Sequence, residues 1–164
     1  MIINLHLLIE IKKITMKFII CLCCSLVFIS TTKAQEMSNK ETKEVATLIN
    51  TMFAAMKNSD TNLLKTCFSK NAVFQTIVTK DGTTEVRNEL VQDFINSVGK
   101  QPVSSLDERI KIDTILIDAT LASVWTPYQF YYKGQYSHQG VNSFQIVHLS
   151  EGWKIQYLID TRRK

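Results

Sequence analysis

Beyond residue 34 the chain has a single cysteine. Cys21, Cys23 and Cys24 all lie in the first 34 residues, and only Cys67 follows. The remainder therefore has no partner for an intramolecular disulfide and no paired thiolates for a structural zinc site. A chain of ~130 residues buries enough apolar surface without either. Proline and glycine are also scarce, 2 and 5 among 164 residues, which excludes collagen-like and low-complexity chains. With 45% hydrophobic and 21% charged residues, the composition is that of one globular domain rather than a disordered segment.

An excess of positive charge is missing too, once its location is considered. The formal net charge is +4, from 19 basic and 15 acidic side chains. Lys12, Lys13, Lys17, Lys33 and Glu10 belong to the first 34 residues, so 15 basic and 14 acidic groups remain. A near-neutral remainder gives nucleic-acid binding no compositional basis. No phosphate loop, serine nucleophile elbow or dinucleotide fingerprint occurs, so no cofactor is expected. Beyond residue 34 the histidines are His138 and His148. Neither has an acidic partner at ligand spacing, so no metal site is expected.

What the first 34 residues do contain is a targeting pattern. Met16-Lys17 opens a positive segment, Phe18 to Ser30 carries no charge, and Thr32 and Ala34 are small residues at the −3 and −1 positions of a cut before Gln35. This predicts a signal peptide over 1–34, with Met16 as a possible start, cleaved between Ala34 and Gln35. Thirteen uncharged residues fall short of the ~20 that a spanning helix requires. The expected product is a secreted or periplasmic domain over 35–164, with no stable membrane span after cleavage.

Ser38 and Glu41 form a capping box. After it, Val45, Leu48, Ile49, Met52, Phe53 and Met56 recur at helical spacing and predict one amphipathic helix. A short helix is expected over Asn62–Cys67, capped by Asp60 or Thr61, with Cys67 and Phe68 turned inward. Ala72–Thr79 reads as a strand ending in a turn at Lys80-Asp81-Gly82-Thr83. Asn88–Val98 reads as a third helix, with Leu90, Val91, Phe94, Ile95 and Val98 on one face and Gly99 as its C-terminal cap. The period then switches to two. Strands are predicted over Arg109–Asp118, Leu121–Tyr132, Tyr136–Leu149 and Trp153–Thr161, the last two joined by a turn at Glu151-Gly152, with Arg162-Arg163-Lys164 as a basic tail. Segregated helices and strands predict an α+β fold, with helices over one face of a curved antiparallel sheet.

The segment MKNSDTNLLKTCFSKNAVF, together with the C-terminal half from ASVWTPYQFYY to GWKIQYLIDTRRK, resembles the nuclear transport factor 2-like superfamily, in its SnoaL-like and lumazine-binding-like bacterial branches. The likeness runs over roughly residues 40–161. It implies a cone-shaped curved antiparallel sheet wrapped around N-terminal helices, of the cystatin-like type, with a pocket in the wide end. Members of the superfamily include isomerases and dehydratases, so the fold by itself assigns no reaction.

Strand parity selects the pocket. Ala122, Val124, Thr126, Tyr128 and Phe130 share one face, as do His138, Gly140, Asn142, Phe144 and Ile146, and as do Trp153, Ile155, Tyr157 and Ile159. The expected ligand-binding residues are Phe53, Phe74, Tyr128, Phe130, His138 and Asn142. Polar groups so close together on an inner face point to a cavity. A two-residue turn at Lys133-Gly134 would set Gln129 opposite His138, and a three-residue turn would set Phe130 there. Pro127 marks a possible bulge. His138 has three candidate roles: a structural hydrogen bond to backbone or Asn142, a ligand contact, or general acid–base work. Cys67 reads as a buried filler. Asp160 and Arg162 read as a local ion pair, worth little if exposed. Trp125, Gln129 and Tyr131 face the other way and suggest a homodimer contact. The expected function is binding of a small apolar or aromatic molecule. The alternatives are an isomerase or dehydratase with His138 as base, and a protein-interaction module using the open sheet face.

Overall fold

A computed structural model describes residues 39–164. The expected signal peptide, its cleavage site and Ser38 of the capping box lie outside the described residues.

Helix α1 runs over 39–57 and buries the expected stripe. Val45, Ile49, Met52, Phe53 and Met56 are at most 8% exposed, joined by Ala55, while Leu48 is half-buried. Helix α2 (Thr61–Thr66) is capped by Asp60, whose carboxylate accepts from the Leu63 N–H at 2.9 Å. Cys67 and Phe68 follow it into the core, as their apolar character predicts.

The first strand is longer than predicted: β1 covers Phe68–Lys80. It turns through Asp81 and Gly82, both at positive φ, into β2 (Thr83–Glu89). That hairpin corrects the expected third helix, which begins only at Val91. Every residue of β2 is exposed, so an edge strand reading TTEVRNE shows no apolar alternation from which to infer it. Helix α3 (Val91–Gly99) buries Ile95 and Val98, but Leu90 precedes it and is 71% exposed. Gly99 is the last helical residue, not a left-handed cap. A Cβ there would lie 2.8 Å from Thr61 Cγ2, so glycine permits the close approach of α3 to α2.

The predicted strand Arg109–Asp118 is two strands, β3 (Leu106–Ile110) and β4 (Thr114–Asp118), both antiparallel to β5 (Leu121–Tyr132). Three residues, 111–113, span the gap opposite Thr126 and Pro127. The Lys111 N–H donates to the Pro127 carbonyl, and Pro127 has no N–H to return. The missing donor coincides with the break in the neighbouring strand.

Strand β6 (Gln135–Leu149) pairs with β5 through a two-residue turn at Lys133 and Gly134, both at positive φ, which suits a hairpin. A bulge at Ser137 then sets Phe130 opposite His138. The turn is thus two residues long, yet the pairing is the one a three-residue turn would give.

Strand β7 (Gly152–Arg163) corrects the last turn and absorbs the expected tail. Ser150 and Glu151 form the turn, and Leu149 pairs with Gly152, which sits at φ 98°. Ile146 pairs with Ile155 and Gln145 with Tyr157, so Gln156 is an extra residue. This bulge reverses parity along the rest of the strand. Leu158 now faces Phe144 and Asp160 faces Asn142, while Tyr157 and Ile159, expected inside, turn to the other face.

The sheet order is β2-β1-β7-β6-β5-β3, with β4 also on β5. Strands β1 and β7 are parallel, so the sheet is mixed rather than purely antiparallel. The long chain between them, which includes α3 and the meander, is what a parallel pairing requires. The curved sheet stays open, and residues Glu41–Lys164 form one compact unit.

Candidate functional site

Helix α1 and the inner sheet face leave a cavity of about 80 Å³ between them. Its apolar lining is Met52, Phe53 and Met56 from α1, Phe74 from β1, Phe94 from α3 and Leu158 from β7. Its polar and charged lining is Glu108 from β3, Asn142 from β6, and Asp160 and Arg162 from β7, with Gln75, Thr76 and Glu89 at the β1–β2 side. The cavity is more polar and more charged than the apolar and aromatic pocket expected from sequence.

The alternation that builds the polar lining is local. In β3, Leu106, Glu108 and Ile110 share parity, and the two apolar residues pack on the core. Glu108 is carried inward between them and is partly buried. Its Oε1 accepts from Asn142 Nδ2 at 2.8 Å. Burial pushes its carboxyl up to about 7, the Asn142 hydrogen bond opposes that rise, Asp160 adds to it and Arg162 offsets part of it.

Asp160 is buried and paired. Its Oδ2 lies 3.0 Å from Arg162 Nε and 3.1 Å from the Tyr128 hydroxyl. The expected ion pair is present, but it stands in the cavity wall and not on an exposed tail. The Tyr128 hydroxyl also lies 3.0 Å from the Thr161 carbonyl. Burial is the largest cause holding the Tyr128 phenol well above its ordinary range, followed by the neighbouring Asp160 charge. Gly140, opposite Tyr128, makes this crossing possible. A Cβ there would collide with the Thr161 carbonyl oxygen and lie 2.7 Å from Tyr128 Cε1.

Of the six expected site residues, Phe53, Phe74 and Asn142 line the cavity. Tyr128 stands behind it and reaches it only through Asp160. Phe130 and His138 do not line it. Their rings lie 5.0 Å apart one row along the sheet, and Tyr128 meets His138 edge-on at 5.7 Å. His138 Nδ1 is 3.0 Å from Ser137 Oγ, so its partner is neither backbone nor Asn142. Partial burial is the first cause lowering its pKa, Arg162 adds to this, and Asp160 opposes it. Cys67 is buried, and that burial pushes its thiol up. Among the described residues no cluster of His, Cys, Asp and Glu could hold a metal ion.

Sequence reasoning missed Glu108. The signal was present in Leu106-Asp107-Glu108-Arg109-Ile110, where the acid alternates with two apolar residues. The inward turn of Asp160 had no such signal, because a bulge produces it.

This arrangement of helices under an open, bent sheet is shared with solved structures. A protein of unknown function from Shewanella baltica superposes with a TM-score of 0.61 at 15% identity, covering 76% of this chain and 95% of that one. A cystatin-like domain of unknown function from Nostoc punctiforme gives 0.60 at 18% identity, covering 76% and 78%. A protein from Novosphingobium aromaticivorans gives 0.61 at 9% identity, covering 79% and 86%. The first and third are described as NTF2-like, the third also as cystatin-like. The chain has the NTF2-like, cystatin-like fold. No family model and no curated protein matches it. In this NTF2-like fold the cavity lies between the long helix and the inner face of the sheet, and the likeness extends to architecture alone.

Proposed function

We propose that this is an exported protein that binds a small molecule in the cavity between α1 and the sheet. The observation that carries the reading is the mixed lining. Six apolar side chains line the cavity together with the paired groups Glu108–Asn142 and Asp160–Arg162. A concave, largely apolar site with a few placed polar groups is how small ligands are held and oriented. The ligand is small, with an apolar body and a hydrogen-bonding end, which refines the small apolar or aromatic molecule expected from sequence. An isomerase or dehydratase built on His138 has no support here, because the ring lies outside the cavity lining and beside Ser137.

The reading of a secreted or periplasmic domain is supported by the residue pattern before Gln35. Among the described residues no helix is long and apolar enough to cross a membrane. The SnoaL-like or lumazine-binding-like affiliation rests on the C-terminal residues Gly152-Trp153-Lys154-Ile155 and Asp160-Thr161-Arg162-Arg163.

The test is to fill the cavity. Leu158→Trp should leave the circular dichroism spectrum intact and abolish retention of any small molecule that native mass spectrometry finds on the exported protein. Retention unchanged in the filled variant contradicts the reading. N-terminal sequencing of the exported chain should begin at Gln35, and a chain still carrying Phe18–Ser30 contradicts processing.

A further inference from the structure

The cavity wall is out of balance in both charge and hydrogen bonding, and the imbalance indicates what it takes. Three carboxyl groups line it, from Glu89, Glu108 and Asp160, against one guanidinium, Arg162. Arg162 is already engaged, with Nε on Asp160 at 3.0 Å and Nη2 on Thr76 Oγ1 at 3.3 Å. No cation among the described residues lies within ion-pair distance of Glu108. Its Oε1 takes one hydrogen bond from Asn142, and its Oε2 takes none.

Asn142 adds to this. It is 4% exposed and lines the cavity. When Glu108 is ionised it only accepts, so the amide presents Nδ2 to it. Asn142 Oδ1 then has no protein donor among the described residues and is not among the fully buried unpaired atoms, so it stays open to a ligand donor. What the wall lacks is a positively charged donor. The apolar lining suits the rest of such a group, because Phe53, Phe74, Phe94 and Leu158 can bury an alkyl body. Met52 and Met56 adapt to its shape. An anion would meet three carboxyl groups against one guanidinium, and a neutral ligand would leave Glu108 holding its proton.

We infer that the cavity takes a small primary organic ammonium ion, which donates to Glu108 and to Asn142 Oδ1 with its alkyl body against the apolar lining. The inference deepens the proposed function and rests on it. The volume of about 80 Å³ restricts the ligand to a compact amine. Glu108 releases its proton as the ammonium ion binds, so affinity rises with pH. The groups facing Glu108 are Asp160 and Arg162 on β7, Tyr128 on β5 and Glu89 on β2. The cavity-lining residues of α1 and α3 contribute nothing titratable.

The experiment uses three four-carbon probes, n-butylammonium, n-butanol and n-butyrate, titrated into the mature protein and followed by calorimetry and amide chemical shifts. Butylammonium should bind about tenfold or more tightly than butanol, and butyrate more weakly than either. Its affinity should rise between about pH 6 and 8, with proton release approaching one at the acid end of that window and falling away by pH 8. Glu108→Gln should lose that preference and the proton release while still binding butanol. Asn142→Leu should weaken butylammonium more than butanol. Butanol binding as tightly as butylammonium, or an unchanged preference in Glu108→Gln, overturns the ammonium inference and leaves the cavity reading standing. No perturbation of cavity residues by any of the three probes overturns both.

Discussion

Glu108 Oε1 lies 2.8 Å from Asn142 Nδ2, and this is the only hydrogen bond the carboxyl makes among the described residues. One neutral donor does not compensate burial, so the group titrates at about 7 instead of its ordinary 4.5. Between those values the folded protein holds a proton that the unfolded chain has released. Stability therefore falls as pH rises through this window, by on the order of 3 kcal/mol from this group. His138, lowered from 6.5, acts in the opposite sense as pH falls, so the comparison has to be made against a variant. Thermal unfolding of the wild type should show a lower Tm at pH 8 than the trend in Glu108→Gln, and the variant should be the more stable of the two at pH 8. Parallel pH profiles for the two proteins would falsify the assignment.

Gly140 is required by contact rather than by backbone freedom. Its missing side chain leaves the space through which Tyr128 crosses β6 to reach Asp160 and Thr161. Gly140→Ala should cost about 3 kcal/mol or more, since overpacking against backbone has no cheap relief. Gly134→Ala, at φ 80° with open space around it, should cost about 1 kcal/mol from backbone strain alone. Denaturant midpoints of the two variants measure the difference, and equal losses would contradict the packing role.

The helix–strand order, the long first helix and the inner faces of β5 and β6 were legible because apolar residues there recur cleanly at 3.6 or 2. Val45 through Met56 and Ala122 through Phe130 are the clearest cases. Legibility failed where one residue changes the register. The extra Gln156 exchanges Tyr157 and Ile159 for Leu158 and Asp160 on the inner face, and no local residue preference announces it. Pro127 was a visible signal, but its effect fell on β3 and β4, not on β6. The exposed edge strand β2 was silent because it buries nothing. At the site, parity turned Asn142 to the inner face, where it lines the cavity. It also promoted Phe130 and His138, because inward direction does not say which row of the sheet a cavity occupies.

Trp125 is 48% exposed on the outer sheet face. Farther along the same strand the Tyr131 hydroxyl donates to Gln129 Oε1, and Tyr131 carries Arg109 over its ring at 4.0 Å. Large aromatic surface next to polar groups suits a symmetric contact, and we propose a homodimer through this face. Light scattering should report a dimer at concentrations on the order of tens of micromolar. Trp125→Glu should be monomeric with an unchanged circular dichroism spectrum. A monomeric wild type at those concentrations counts against the proposal.

The most direct test of the cavity between Phe53, Phe74 and Asn142 as a place for a ligand is a crystal structure of residues 35–164 at atomic resolution, grown with n-butylammonium. Density for the amine should lie inside this cavity, its nitrogen within hydrogen-bond distance of Glu108 and Asn142 Oδ1 and its carbons against Phe53 and Phe74. A cavity closed by inward rotation of Met52 or Met56, with Glu108 and Asn142 satisfied by protein groups alone, would contradict a ligand site there.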